Sequence, residues 1–192
     1  MSPVADITGV ILAGGASSRF GENKALTNFL GVPIIKRVAK IMDVVFNDVL
    51  LVTNSPEAYE HLGLRMARDD IPGLGPLGGI VAAFDNSLND RIFVVACDMP
   101  LLNAFTIEKI LTQAGPVDAA IATHDGIHEY LLALYSRNLL HRLRCCLGEE
   151  KLSLRDFCSH LSNVSWIPIE GDAWFNVNTK KDLEFLEKTH VD

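Results

Sequence analysis

Short apolar runs alternate with segments of helical periodicity along almost the whole chain. The runs predict seven strands, at residues 7–12, 49–53, 64–67, 92–96, 119–123, 130–134 and 164–169. Several of these runs are apolar throughout, as expected for a sheet that is covered on both faces. Because strands and helices alternate, we predict an α/β fold with a mostly parallel central sheet.

Six helices are predicted between and after these strands, at residues 34–46, 77–88, 105–114, 137–147, 153–161 and 182–188. Pro33 occupies a position that often opens a helix, and the apolar residues after it recur at helical spacing. Thr179 and Asp182 have the spacing of a capping box, which predicts the start of the last helix. Ligands bind such sheets beyond the carboxyl ends of the strands, so the segments that directly follow the strands are the candidates for a site.

Composition limits the classes of protein to consider. The chain has 192 residues, 48% of them apolar and 21% charged, which is typical of one globular domain spanning residues 1–192. A net charge of −7 without a basic cluster argues against nucleic-acid binding. No apolar run approaches the ~20 residues of a membrane span, and the first residues do not resemble a signal peptide. The four cysteines form no metal or disulfide pattern, so we expect free thiols and a cytoplasmic location.

The most informative segment is the glycine-rich stretch at residues 12–24, directly after the first predicted strand. The adjacent Gly14 and Gly15 allow a close backbone approach to a ligand, and successive N–H groups can hold phosphate oxygens. Arg19 and Lys24 add two positive charges to the same loop. The spacing matches neither the Gly-x-Gly-x-x-Gly loop nor the Gly-Lys-Ser/Thr loop. Two interpretations stand at this point: a site for a nucleoside triphosphate, and a plain glycine turn with solvated side chains.

Asp98 follows a run that is apolar enough for a central strand, and Pro100 prevents regular structure from continuing beyond it. Mg²⁺ usually binds one or two carboxylates together with substrate phosphates, so a carboxylate at the mouth of a buried strand suits this ion. The alternative interpretation is an aspartate that caps the next loop or helix.

Two further segments suggest contacts with a nucleotide. Residues 69–79 contain four glycines and two prolines just before a predicted helix, which indicates a functional loop more than a plain surface turn. Asn54 ends the second predicted strand. Its amide suits contact with a base or a sugar, or an Asx turn before Pro56.

Two polar clusters lie later in the chain. Asn176 and Asn178 share a face if their segment is extended, where their amides suit a metal site or a substrate, or the capping of the last helix. His124, His128 and Glu129 surround an Asp-Gly pair that favours a turn over a helix, so we predict a solvated loop near the substrate.

Taken together, these segments resemble the molybdenum cofactor guanylyltransferase family, the MobA proteins. The resemblance covers nearly the full length of the chain, with four motifs in the family's order and spacing. They are Leu12-Ala13-Gly14-Gly15 continuing to Arg19 and Lys24, Gly75-Pro76-Leu77-x-Gly79, Cys97-Asp98-Met99-Pro100 and Asn176-Val177-Asn178-Thr179. The family implies a three-layer, Rossmann-like nucleotidyltransferase fold.

The resemblance also implies roles for individual residues. It assigns contact with the nucleotide to residues near the strand ends: Leu12, Ala13, Gly14, Gly15, Lys24, Asn54, Asp69, Leu77, Gly78 and Asp98. Arg19, Lys24 and Asp98 are the expected catalytic residues. Asp98 matches the position that binds both Mg²⁺ and nucleotide, and the two cations are expected to stabilise the departing pyrophosphate. Asn176 and Asn178 are expected to position the substrate.

The reaction implied by the resemblance joins GTP to the molybdopterin cofactor and releases pyrophosphate, with Mg²⁺ as cofactor and molybdenum-cofactor or molybdoenzyme maturation proteins as expected partners. The Ala13-Gly14-Gly15 loop and the later Gly75-Pro76-Leu77-Gly78-Gly79 segment both favour GTP over CTP, since the related cytidylyltransferases usually carry Ala-Ala-Gly in the loop. Two departures are Phe20, where the family often has methionine, and Tyr130, which replaces a usual proline in the segment that faces the acceptor. The alternatives are a transferase that uses CTP or another phosphorylated acceptor, and a nucleotide- or cofactor-binding protein without catalysis.

Overall fold

The computed structural model describes residues 3–14, 23–69, 75–147 and 153–189. Its strands are β1 (Val4–Ala13), β2 (Asn28–Phe29), β3 (Val32–Pro33), β4 (Phe46–Thr53), β5 (Arg65–Ala67), β6 (Arg91–Ala96), β7 (Ala119–His124), β8 (Ile127–Ser136) and β9 (Val164–Pro168). Its α-helices are α1 (Ile34–Val45), α2 (Pro76–Asn86), α3 (Ala104–Gln113), α4 (Leu140–Leu147), α5 (Leu154–Ser159) and α6 (Lys180–Thr189). In these described ranges no helix is both long and apolar enough to cross a bilayer.

One sheet holds all seven predicted strands, in the order β5-β4-β1-β6-β8-β7-β9. β1 pairs in parallel with β4 and β6, β4 pairs in parallel with β5, and β7 pairs in parallel with β9. β8 runs antiparallel to both of its neighbours, β6 and β7. The predicted mostly parallel central sheet is therefore confirmed.

A tight turn between β7 and β8 explains why β8 reverses direction. Asp125 and Gly126 have φ values of 47° and 76°, and a two-residue hairpin turn of this kind needs positive φ at both positions. Aspartate tolerates this conformation better than most residues, and glycine adopts it freely. The turn predicted here is confirmed, and it brings the start of β8 to the edge at which the parallel strands end.

Helices cover both faces of the sheet. On one face, apolar residues of α1, α3 and α6 pack with Ile11 and Phe93 in one buried cluster. On the other face, residues of α2, α4 and α5 pack with Val10 and Val94 in a second cluster. Neighbouring residues of β1 thus enter opposite clusters, as expected for a strand that is buried on both sides. This is the three-layer arrangement that the resemblance implies.

The ends of some elements differ from the predicted ones. β8 begins at Ile127, before the predicted residue 130, because the tight hairpin turn lets the strands pair up to the turn itself. The helix predicted at 137–147 starts as a 3₁₀ turn, and α4 begins only at Leu140. The capping box is confirmed, since Thr179 Oγ1 accepts from the Asp182 N–H at 3.2 Å and Asp182 Oδ2 accepts from the Thr179 N–H at 2.7 Å.

Gly9 lies within β1 at a point where a side chain has no room. A Cβ atom there would lie 2.6 Å from Cδ2 of Phe46 and 3.0 Å from Cε of Met42. We expect Gly9→Ala to lower the free energy of unfolding by about 1–3 kcal/mol, because the buried Phe46 ring has to shift. Urea denaturation measures this loss. In a Phe46→Leu background the same substitution should cost less, and an equal cost in both backgrounds would contradict the explanation.

Candidate functional site

A pocket of about 870 Å³ lies at the edge of the sheet where β1, β4 and β6 end. Its wall brings together most of the predicted site residues that the structure describes: Leu12, Gly14, Lys24, Asn54, Asp69, Asp98, Asn176 and Asn178. Residues 128–131, at the start of β8, line the pocket as well. The pocket thus lies beyond the carboxyl ends of the parallel strands, where ligands bind sheets of this type.

Other predicted residues lie elsewhere. Ala13 and Leu77 do not line the pocket, and they are only 8% and 2% exposed. Their side chains belong to the two apolar clusters, so a contact with the nucleotide would have to come from their backbone atoms. Gly78 is likewise buried within α2 and does not line the pocket. Gly15 and Arg19, predicted as part of the phosphate loop, lie outside the described residues.

Lys24, Asp98 and Asn178 meet in the pocket wall. The Lys24 ammonium forms an ion pair with Oδ2 of Asp98 and donates a hydrogen bond to Oδ1 of Asn178 at 3.1 Å. The three residues come from the 3₁₀ turn Lys24–Leu26, the end of β6 and the segment before α6. A cation that contacts both a carboxylate and an amide forms a polar centre that suits a phosphate chain and its counter-ion.

Lys24 is positioned by a capped turn that the sequence analysis did not find. It begins the 3₁₀ turn Lys24–Leu26, and Asn23 caps this turn by accepting from the Ala25 N–H at 3.2 Å. The same asparagine donates through Nδ2 to the hydroxyl of Tyr59 at 2.9 Å. Burial raises the pKa of Tyr59, so its hydroxyl stays protonated and can also donate to Oδ1 of Asn23, at 3.2 Å. The asparagine before the turn was a visible capping signal, whereas its tyrosine partner was not.

Asp98 is buried, with only 5% of its surface exposed. Its backbone carbonyl accepts from the Val177 N–H at 2.9 Å, which fixes the segment before α6 against the end of β6. Its Oδ1 is buried and has no hydrogen-bond partner among the described residues. An unpartnered carboxylate oxygen is costly to bury, and a bound cation would supply the missing partner. The residues present therefore fit a metal ligand at this position.

The described part of the chain contains no group of three or more His, Cys, Asp or Glu residues arranged to hold a metal ion. An ion at Asp98 would have to take most of its ligands from substrate and water. Mg²⁺ commonly binds proteins in this way, with one or two carboxylates and the phosphates of a nucleotide.

Cys97 precedes Asp98 and lines the same pocket. Burial raises the pKa of its thiol to about 12, and the negative charge of Asp98 adds to the shift while Lys24 opposes it. The thiol therefore stays protonated at neutral pH. A protonated thiol is neither a good nucleophile nor a good metal ligand, so Cys97 serves as an apolar part of the wall.

Asn54 and Asp69 form a second polar group on the β4–β5 side of the pocket, and Gly78 of α2 lies behind the Asp69 carboxylate. Asn54 Oδ1 accepts from the backbone N–H of Asp69 at 3.1 Å and so joins the ends of β4 and β5. A Cβ atom on Gly78 would lie 2.7 Å from Oδ2 of Asp69. The glycine in α2 is therefore needed because the Asp69 carboxylate packs directly against this helix.

The β7–β8 hairpin forms the opposite side of the pocket. His124 is only 8% exposed, so the predicted solvated loop is wrong for this residue. Its ring stacks on Trp174 with the ring centres 3.7 Å apart, which excludes water from that face. The predicted closeness to the site holds for Glu129 and His128, which line the pocket.

Comparison with known proteins gives the same family along most of the chain. The family model described as the MobA-like NTP transferase domain matches residues 9–164. A probable molybdenum cofactor guanylyltransferase from Pelotomaculum thermopropionicum is 36% identical, over 92% of this chain and 89% of that protein. A protein of the same description from Bacillus cytotoxicus is 32% identical, over 94% of this chain and 96% of that protein.

Solved structures share the fold. Molybdopterin-guanine dinucleotide biosynthesis protein A from Archaeoglobus fulgidus aligns with a TM-score of 0.78 at 24% identity, over 95% of this chain and 97% of that one. A 4-diphosphocytidyl-2C-methyl-D-erythritol synthase from Anaerococcus prevotii aligns with a TM-score of 0.73 at 11% identity, over 95% of both chains. At these identities the likeness supports the fold alone. The family match and the relatives that align over most of the chain show that this protein belongs to the MobA-like NTP transferase family.

Proposed function

We propose that this protein transfers GMP from GTP to the terminal phosphate of the molybdopterin cofactor, which yields molybdopterin guanine dinucleotide and pyrophosphate. The observation that carries the proposal is the network of Lys24, Asp98 and Asn178 in the pocket wall. The naming of the relatives from P. thermopropionicum and B. cytotoxicus as probable molybdenum cofactor guanylyltransferases supports the choice of substrates.

The shape of the pocket supports a reaction between two substrates. Its wall runs from Asn54 and Asp69, on the β4–β5 side, to residues 128–131 on β8. In the order of the sheet, β1 and β6 lie between these two sides. Gly14 directly follows β1, and Asp98 lies just after β6. We place the guanosine on the β4–β5 side, the acceptor on the β8 side, and the reacting phosphates between them.

The transfer needs little acid–base chemistry from the protein. A terminal phosphate oxygen of the acceptor attacks the α-phosphorus of GTP, and the bond from that phosphorus to the pyrophosphate oxygen breaks. A phosphate monoester is already anionic near neutral pH, so no side chain has to remove a proton. Catalysis then consists of positioning and charge stabilisation. Lys24 supplies a cation for the departing pyrophosphate, Gly14 allows a close backbone approach, and Arg19 is expected to add a second cation.

Asp98 is the residue that would hold Mg²⁺, and its buried, unpartnered Oδ1 supports this role. When bound, Mg²⁺ neutralises charge on the phosphates that react. The ion pair with Lys24 keeps the other carboxylate oxygen of this buried residue paired, which an isolated buried charge requires. Asn178 also positions the Lys24 ammonium, because its Oδ1 accepts a hydrogen bond from it.

The direct test supplies purified protein with molybdopterin, Mg²⁺ and one nucleoside triphosphate at a time. We expect pyrophosphate release with GTP, together with a guanine dinucleotide product detected by mass spectrometry. Release with CTP in its place would assign the protein to cytidylyl transfer, a candidate that the shared fold of the A. prevotii protein keeps open. GTP binding without pyrophosphate release would indicate a binding protein without catalysis.

Gly78→Ala is expected to raise the KM for GTP by at least about tenfold and to leave kcat nearly unchanged. The added methyl group pushes the Asp69 carboxylate out of its place in the pocket wall, and losing one hydrogen bond to a charged group is worth about 1.5–3 kcal/mol. Initial rates at varied GTP concentration measure the change. Asp85→Ala, on the same helix but outside the pocket wall, is the control. An unchanged KM would mean that Asp69 does not contact the nucleotide.

A further inference from the structure

Glu129 lies on the side of the pocket that the proposed reaction leaves for the acceptor. It lines the wall beside His128 and Tyr130, and its side chain is 18% exposed. Its Oε1 lies 3.0 Å from Nε2 of His124. Oε2 has no donor among the described residues and is available to a ligand.

The contact with Glu129 is held in place by the burial of His124. The side chain of His124 is only 5% exposed, and its ring lies on Trp174 with an angle of 11° between the ring planes. In the tautomer that donates from Nε2 to Glu129, Nδ1 carries no hydrogen. It lies 3.7 Å from Oδ2 of Asp125, beyond hydrogen-bond distance, and has no hydrogen-bond partner within the described ranges. A buried polar atom without a partner destabilises the fold and calls for an explanation. The burial of the ring at this cost is explained if His124 serves, through its other nitrogen, to hold the carboxylate of Glu129 in one position.

We propose that Glu129 accepts hydrogen bonds from the ring N–H and the exocyclic amino group of a 2-amino-4-oxopyrimidine ring, and that His124 is the residue that positions Glu129. This ring occurs both in the pterin of the acceptor and in guanine. Since Glu129 belongs to β8, on the far side of β6 from Asn54 and Asp69, we assign it to the pterin. The assignment rests on the proposed function.

The charges of Glu129 and Lys24 orient the acceptor in the pocket. The carboxylate of Glu129 attracts the donor edge of the ring but repels the phosphate of the same molecule. Lys24, at the polar centre, attracts that phosphate. The acceptor is therefore held with its ring toward β8 and its phosphate toward Lys24, which is the orientation that the transfer reaction needs.

The proposal is tested first by binding, with no need for catalysis. 6-Hydroxymethylpterin carries the 2-amino group, and 6-hydroxymethyllumazine has an oxygen in its place. We expect wild-type protein to bind the pterin at least about tenfold more tightly than the lumazine in fluorescence titrations, because the lumazine oxygen faces the carboxylate unpaired. Glu129→Gln should remove most of this preference, and Glu60→Gln, at an exposed glutamate, should retain it.

His124→Phe separates a positioning role from a purely structural one. Phenylalanine keeps a ring to stack on Trp174 but cannot donate to Glu129. We expect this variant to fold with a similar Tm, to lose much of the pterin preference, and to show a raised KM for the acceptor with an unchanged KM for GTP.

Three results would overturn the proposal: no preference for the pterin in the wild type, a preference that survives Glu129→Gln, or a KM that rises for GTP instead of the acceptor. The last result would assign Glu129 to guanine. Failure of the proposed function is recognised separately, since it would abolish GMP transfer in the wild type while the preference for pterin over lumazine remained.

Discussion

Asp98→Asn is expected to lower kcat for GMP transfer by about 100-fold or more, with a much smaller change in the KM for GTP. Asparagine preserves the shape of the side chain but removes its charge. Both the ion pair with Lys24 and the negative oxygen offered to a cation are then lost. Losses of this size are typical when one preorganised electrostatic group is removed from an active site. Steady-state rates over a series of Mg²⁺ concentrations measure the effect.

The Asp98→Asn result is informative only if the variant folds. Thermal unfolding followed by circular dichroism tests this, and Asp43→Asn is the matched control because Asp43 is exposed on α1. We expect the control to keep wild-type rates and the same Mg²⁺ dependence. Near-normal turnover by a folded Asp98→Asn protein would exclude Asp98 from the mechanism.

The fold could be predicted from the sequence because each element carries its own signal. The central strands carry fully apolar runs, such as 10–12 in β1 and 92–96 in β6, and Asp125-Gly126 is a turn signal that acts within two residues. Asp98 and Asn54 could be placed in one pocket without any distance information. Both follow strands of a parallel sheet, and the carboxyl ends of such strands meet at one edge.

Contacts between distant segments could not be predicted in the same way. Lys24 and Asn178 are 154 positions apart, and no local pattern specifies that an ammonium and an amide will meet. The burial of His124 depends on Trp174, which comes from another loop. A histidine beside a turn has the same local sequence whether or not a distant ring covers it. Site residue types were therefore predictable, but the partners that position them were not.

The choice of base depends on different evidence in the sequence and in the structure. In the sequence, Gly15 and the Gly75–Gly79 segment indicate GTP, but Gly15 lies outside the described residues. The fold does not decide between bases, since a protein named for a cytidyl product shares it with a TM-score of 0.73. Among the described residues of the pocket wall, Asn54 and Asp69 lie on the side that we assign to the base. One hydrogen bond joins them. The choice between GTP and CTP is therefore decided by the assay that supplies one nucleoside triphosphate at a time.

Lys24→Met is expected to lower kcat/KM for GTP by about 1000-fold and also to destabilise the fold. The loss of rate follows from removing the cation that stabilises the departing pyrophosphate, a loss in the range found for single electrostatic groups. The loss of stability has a separate cause. Asp98 keeps its buried negative charge but loses its ion-pair partner. Because Lys24 is 25% exposed, we expect a cost of about 1–3 kcal/mol, between the values for an exposed pair and a buried one. Lys40→Met, at an exposed position on α1, should change neither quantity.

The double variant Lys24→Met with Asp98→Asn separates these two effects. If the unpaired carboxylate causes the instability, replacing it with a neutral amide should restore much of the unfolding free energy that Lys24→Met loses. Activity should not return, because both the cation and the carboxylate are then absent from the pocket wall. Urea denaturation and initial-rate measurements on the two single variants and the double variant complete this cycle. A double variant whose stability is the sum of the two single losses would contradict the coupling between Lys24 and Asp98, and with it the paired state of the buried carboxylate.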